Sequence, residues 1–237
     1  MKTSKLNIVG NGFLAKKFKK YNAFFKKKNY FIYLAGVSNS NEKNLKNLEK
    51  DFNRIKFFIE NNKNFKIIYV SSCSIFDPNR RNSLYLKNKI KIEKLIKDKC
   101  DNFLIIRLPE IIGKSKNKNT LTNFFYSKIK TNNKFILYAN AKRNLLDIND
   151  AIKLVLYFLQ SNYMKRYLNI ANLKFTNSLK IVKTFEKLLK KKANYKISNK
   201  KLKMWKINND INKNILKKNK IIIKKNYLFH VLKKYYQ

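Results

Sequence analysis

The chain has 237 residues, 44% of them hydrophobic, with two cysteines and one histidine. That length suits one domain, or one domain with a small appendage, and supports a real core; the cysteine and histidine counts argue against a disulfide scaffold or a zinc site. The formal net charge is +43, from 56 Lys plus Arg against 13 Asp plus Glu. It points either to a nucleic-acid partner or to drift toward A/T-rich codons. Lysine is spread over every segment, beside abundant Asn, Ile, Phe and Tyr, which favours drift.

No run approaches about 18 apolar residues, so no membrane span is expected. The basic N-terminus has too short an apolar run for a signal peptide, and a reducing cytoplasm is the expected setting. Cys73 reads as a small buried residue, and no metal site is expected.

In chain order, Lys5 to Val9 predicts a short buried strand. "GNGFLA" then turns into a helix from near Phe13, with Phe13, Leu14 and Phe18 on its inner face. "YFIYLAG", Tyr30 to Gly36, is a continuous apolar run, as a parallel strand covered on both faces requires. The polar "VSNSNEKN" leads into a helix over Leu45 to Asn61. "FKIIYVSS" and "NFLIIRLP" are the third and fourth strands. Between them "NSLYLKNKIKIEKLIK" is helical, with Leu86, Ile90, Glu93 and Ile96 at helical spacings. "RNLLDINDAIKLVLYFL" begins as a loop or short strand and becomes a helix near Asn149 or Asp150, either of which can cap it. "RYLNIAN" is a further strand, and "SLKIVKTFEKLLKK" an amphipathic helix, apolar at Ile181, Val182, Phe185, Leu188 and Leu189. The last forty or so residues read as short segments with a final helix. Strands alternating with helices predict an α/β fold, a parallel sheet with helices on both faces.

"GNGFLA" places Gly10, Gly12 and Ala15 in a G-x-G-x-x-G/A pattern, directly after a strand and opening a helix. In such a turn Gly10 allows the tight bend and Gly12 lets a pyrophosphate approach the backbone. Ala15 lets the helix pack close to the strand. Three of the four glycines, Gly10, Gly12 and Gly36, fall at predicted strand ends. The next segment, "KKYNAFFKKKNY", holds no acid for a ribose 2'-hydroxyl, so NAD and NADP both stay open as cofactors.

"YLKNK" puts Tyr85 and Lys89 at i and i+4, on one side of a helix and a turn apart. A neighbouring ammonium group favours the phenolate, and Ser72, at the end of the preceding strand, can hold a substrate oxygen. Tyrosines and lysines are frequent here, so the pair draws its meaning from its position after "YVSSCSIF" and downstream of the glycine turn.

These stretches, in this order, resemble an extended short-chain dehydrogenase/reductase of the NAD-dependent epimerase/dehydratase type, which acts on nucleotide sugars. "IVGNGFLA" is similar to the family's glycine turn, "YLAGVSNS" to the loop beside the pyrophosphate and nicotinamide ribose, and "YVSSCSIFD" to the strand with the catalytic serine or threonine. "YLKNKIKIE" is similar to the tyrosine–lysine helix, with Glu93 following. "IIRLPEIIG" and "KRNLLDINDAI" are similar to substrate-side segments. The resemblance covers roughly Lys5 to Leu189. It implies Ser72, Tyr85 and Lys89 as catalytic residues, and Gly10, Gly12, Phe13, Leu14, Ala35, Gly36 and Lys89 as cofactor contacts. Ser72, Glu110 and Arg143 are implied as substrate contacts, with Arg143 on the nucleotide phosphates, Glu110 where many members have Asn, and Asp150 structural.

The implied architecture is a Rossmann-like sheet truncated around its second and third strands. Residues 1–150 would form the dinucleotide-binding core, and 151–237 the final strand, helices and a small substrate-side subdomain. The serine-to-tyrosine interval, 13 positions, is also short for the family. The implied function is hydride transfer on a nucleotide-linked sugar, as an epimerase or a ketoreductase, in a homodimer. Cys73 and Ser74 stand where a dehydratase carries an acidic pair, which argues against dehydration. The alternatives are a nucleic-acid-binding protein on the same scaffold and a catalytically silent member.

Overall fold

The computed structural model describes residues 7–115, 117–161, 166–221 and 226–237. The strands are β1 (Ile8–Val9), β2 (Tyr30–Tyr33), β3 (Lys66–Ser72), β4 (Phe103–Leu108), β5 (Glu110–Ile112), β6 (Phe135–Leu137), β7 (Lys142–Arg143), β8 (Leu145–Asp147), β9 (Tyr167–Asn169), β10 (Thr176–Asn177) and β11 (Tyr195–Ile197). The helices are α1 (Phe13–Phe18), α2 (Asn22–Lys27), α3 (Leu45–Glu60), α4 (Leu84–Lys99), α5 (Leu121–Lys130), α6 (Ile148–Gln160), α7 (Ser178–Leu189), α8 (Lys213–Lys218) and α9 (Tyr227–Tyr236). Lys5 and Leu6 of the predicted first strand lie outside the described residues. The chain forms two compact units, one of Met1–Ile75, Arg80–Arg107 and Asn162–Leu168, the other of Phe76–Asn79, Leu108–Ser161 and Asn169–Gln237.

The first unit is built on a five-stranded sheet in the order β1-β2-β3-β4-β9. β1, β2 and β3 pair in parallel, with Ile8 beside Ile32 and Ile32 beside Ile68. Side chains alternate across a strand, so these three isoleucines share one face, while Tyr33 and Tyr69 point to the other. On that second face Tyr33, Tyr69, Phe103 and Ile105 pack with Ile55 and Ile59 of α3 and Ile92 and Ile96 of α4. Each such side chain contributes about 1.5–3 kcal/mol on full burial. Of the α4 residues at helical spacing, Leu86, Glu93 and Ile96 are buried but Ile90 is 53% exposed. Phe18 and Phe25, from α1 and α2, are fully buried and meet edge to face at 6.2 Å. α2 occupies the lysine-rich segment in which no helix is predicted.

The sheet order explains the truncation. A doubly wound sheet continues past its first strand on both sides, with the order reversing there. Here the chain returns through α1 and α2 straight to β2, which pairs beside β1, and β1 stands at the edge. β2 ends three residues before Gly36. The loop beyond is fastened to α3 instead: Arg54 Nη1 donates to Ala35 O (3.4 Å), and Val37 N donates to Asp51 Oδ2 (3.3 Å).

The second unit gathers short strands in pairs, β5 with β8 and β6 with β11 in parallel, β7 with β10 antiparallel. Its core joins Phe125 and Ile129 of α5, Ile181, Val182, Phe185 and Leu188 of α7, and Val231 and Leu232 of α9. The cap of α6 departs from the sequence expectation. β8 runs to Asp147, the last extended residue, and the Asp147 side chain accepts from Asn149 N (2.7 Å). Neither Asn149 nor Asp150 caps, because both already lie inside the helix. Asp147 also pairs with Lys234 of α9 at 2.8 Å, and Asp150 accepts from the Tyr227 hydroxyl at 3.0 Å. No helix among the described residues is long and apolar enough to cross a membrane, and no three potential ligands cluster to hold a metal ion.

Candidate active site

The glycine turn follows β1. Gly10 has φ +127°, a conformation L side chains rarely adopt, and a Cβ there would stand 2.8 Å from the Leu34 carbonyl and 2.9 Å from Ala35 N. Gly10 is thus required twice, by its backbone angle and by the close approach of the chain leaving β2. Gly12 differs: a Cβ there would meet nothing within 4 Å. Gly12 borders open space, the condition for a ligand to lie against its backbone. Phe13 and Leu14 follow, half-buried, in the first turn of α1.

Ser72 closes β3, and its Oγ accepts from Ser74 N at 3.1 Å. The Ser72 side chain lies close enough to the Tyr85 hydroxyl to favour its ionised form. Tyr85 and Lys89 share the buried face of α4, at 8% and 4% exposure. Lys89 Nζ lies 5.6 Å from the centre of the Tyr85 ring and donates to the Tyr69 hydroxyl at 2.9 Å. Gly36 completes this grouping: a Cβ on it would stand 2.8 Å from Lys89 Nζ.

The site's electrostatics follow from burial. Burial pushes the Tyr85 phenol up to about 12, while the Arg80 charge and the Ser72 side chain pull it down and Asp51 pushes it further up. Burial pushes Lys89 below the usual lysine range, and Asp51 and Glu93 oppose that shift. A phenol in this setting is protonated at neutral pH and can donate. Its phenolate is favoured by the Arg80 charge and by the serine side chain.

The sequence reading did not single out Asp51, Tyr69, Asn88 or Arg80. Asp51 left a signal, since with Leu48, Ile55 and Ile59 it falls on the buried stripe of α3, where a carboxylate is out of place. Arg80 left none: it sits in a short helical turn, Pro78–Arg80, and donates to Ser40 O.

Glu110 and Arg143 belong to the second unit. Arg143 Nη1 pairs with Glu110 Oε1 at 3.2 Å, and Arg143 Nε donates to Ser178 Oγ at 3.2 Å.

No protein-family model matches this chain, and no curated protein matches it by sequence. Solved structures do. A UDP-glucuronic acid 4-epimerase from Bacillus cereus, in complex with UDP-glucuronic acid and NAD, matches over 97% of this chain and 88% of its own, with 14% identity and a TM-score of 0.68. The chain shares its fold with that structure. A dTDP-glucose 4,6-dehydratase from Bacillus anthracis, in complex with NAD, matches over 92% of this chain and 75% of its own, with 14% identity and a TM-score of 0.66. A hypothetical dTDP-4-dehydrorhamnose reductase from Sulfolobus tokodaii matches over 88% and 80%, with 13% identity and a TM-score of 0.59.

Proposed function

We propose that this chain is an NAD(P)-dependent epimerase or ketoreductase of a nucleotide-linked sugar. The observation that carries the proposal is the grouping of half-buried Ser72, at the end of β3, with buried Tyr85 and Lys89 of α4. The glycine turn of the same unit supports it, with the open space at Gly12. The substrate class follows the structures that share the fold, among them enzymes in complex with UDP-glucuronic acid and NAD.

The residues fit a dinucleotide along its pyrophosphate and nicotinamide-ribose parts. Gly10, Gly12, Phe13 and Leu14 would hold the first, and Ala35, Gly36 and Lys89 the second. When bound, NAD(P) supplies a hydride donor or acceptor. Ser72 orients the sugar oxygen. Tyr85 gives that oxygen a proton or takes one from it, and Lys89 supplies the positive charge that makes the phenolate accessible. The neutral phenol prevails at pH 7, so Tyr85 is ready to protonate a carbonyl oxygen. Arg143 would bind the nucleotide phosphates, a task suited to its planar guanidinium group.

Tyr85→Phe tests this reading, because it removes one hydroxyl and keeps the packing. Turnover of a nucleotide-linked sugar should fall by roughly 10²–10⁴-fold, the range for a lost acid-base group. Dinucleotide affinity should survive. Wild-type turnover in this variant would sink the proposal. Native mass spectrometry of the purified protein separates its two forms: retained NAD indicates an epimerase cycle, and an empty site that accepts NADPH a reductase.

A further inference from the structure

Asp51 of α3 is 2% exposed and has no role in the chemistry above. Its Oδ2 accepts from Val37 N at 3.3 Å and from Asn88 Nδ2 at 3.2 Å. Its Oδ1 is buried and has no hydrogen-bond partner among the described residues. A methyl group on Gly36 would lie 2.8 Å from Lys89 Nζ and 3.5 and 3.7 Å from the two Asp51 oxygens. Ammonium and carboxylate therefore share the space over one glycine. We propose that Asp51 is the positioning residue of Lys89, holding its ammonium charged and in place between the loop after β2 and helix α4. The proposal rests on the reading of Lys89 given above and assigns its counter-charge.

Elimination among the surrounding groups leads to the same residue. An ammonium 4% exposed needs a compensating negative charge, since an unpaired buried charge is strongly destabilising. Among the described residues, the carboxylates that act on Lys89 are Asp51 from α3 and Glu93 from α4, and the phenols beside it are Tyr69 from β3 and Tyr85 from α4. Burial pushes both tyrosines up, so each is neutral at pH 7. Glu93 is engaged by Arg107 of β4 in a two-pronged pair at 3.1 and 2.5 Å. Arg54 and Arg80 bring further positive charge to the same unit. Asp51 is the remaining carboxylate in this set. Its two bonds, one to the loop and one to α4, also fix the parts that carry Gly36 and Lys89.

A double-mutant cycle on the full chain tests the pair without reference to activity. Asp51→Asn removes the charge and keeps an oxygen for Val37 N, and Lys89→Met removes the ammonium. Urea unfolding at pH 7 of the two single variants, the double variant and the wild type should give a non-additive cycle. The Asp51→Asn loss should shrink by about tenfold or more in the unfolding equilibrium constant once Lys89 is replaced. Additivity within about twofold would overturn the pairing. If Asp51→Asn alone fails to fold, the double variant should recover folding, because no unpaired ammonium is left; its failure as well would count against the pair. The second readout is the pH profile of turnover. Without Asp51 the lysine loses its proton at lower pH, so the alkaline limb should move down by about one pH unit, a tenfold change in proton affinity. An unmoved limb would refute the positioning role. If the wild type turns over no nucleotide sugar, the oxidoreductase reading falls, while the stability cycle still decides the pair.

Discussion

A side chain would meet different surroundings at Gly12 and at Gly36. At Gly12 a side chain would enter open volume; at Gly36 it would meet an ammonium group and a carboxylate. Gly12→Val should therefore leave the fold and Tm nearly unchanged while dinucleotide affinity falls at least about tenfold, because the new side chain fills the approach to the backbone. Gly36→Ala should cost both: its methyl displaces Lys89 Nζ, so stability and affinity fall together. Fluorescence titration with NAD(H) and NADP(H), run beside thermal melts, distinguishes the two outcomes. Unchanged affinity in Gly12→Val would put the dinucleotide elsewhere or rule it out.

Among the elements, α3 and α4 do more than cover the sheet. α3 holds the loop after β2 through Arg54 and Asp51, and α4 carries Tyr85, Asn88 and Lys89 on one buried face. In the second unit, β5 carries Glu110, β7 carries Arg143, and the start of α7 carries Ser178, which together hold the Arg143 guanidinium. The Glu110–Arg143 pair is partly exposed, so it adds only about 0–1 kcal/mol to stability. A phosphate would compete with Glu110 for the same cation. Arg143→Ala is accordingly expected to raise KM for a nucleotide sugar by about tenfold or more, the cost of losing a charge-assisted bond, with dinucleotide affinity unchanged. Steady-state kinetics with a separate cofactor titration measures both quantities. Equal weakening of the two ligands, or of neither, would remove Arg143 from the substrate site.

At the scale of the whole molecule, buried or half-buried phenols occur in both units. Burial raises Tyr85 and Tyr236 to about 12 and pushes Tyr33, Tyr69 and Tyr227 up as well. A phenol whose folded pKa exceeds its unfolded value of about 10 stays neutral in the native state after it would have ionised in the unfolded chain. The stability it contributes is fully present below pH about 10 and is lost as pH rises toward about 12. Alkaline titration followed at 295 nm should therefore show the exposed tyrosines ionising first. The buried ones should follow in a cooperative step that coincides with loss of circular dichroism. Smooth ionisation of all 14 tyrosines without unfolding would contradict their burial.

By itself the sequence determined the order and type of the main elements of the first unit. The continuous apolar runs at Tyr30–Tyr33 and Ile67–Val70, and the apolar stripe of Leu48, Ile55 and Ile59, can be buried in few other ways. It also carried the glycine turn and the Ser72, Tyr85 and Lys89 set, because those depend on spacing along a strand end and a helix. Short strands such as β7 and β10, two residues each, have too little pattern to be seen before they pair. The cap of α6 was misplaced by two or three residues, because where β8 stops depends on its pairing with β5. Asp51 reaches Gly36 and Lys89 only across the fold, from 15 and 38 positions away in the chain. The position of β1 at the sheet edge follows from which strand pairs beside it. Periodicity records which residues face inward; which inward-facing residues then meet is decided by contacts between segments remote in sequence.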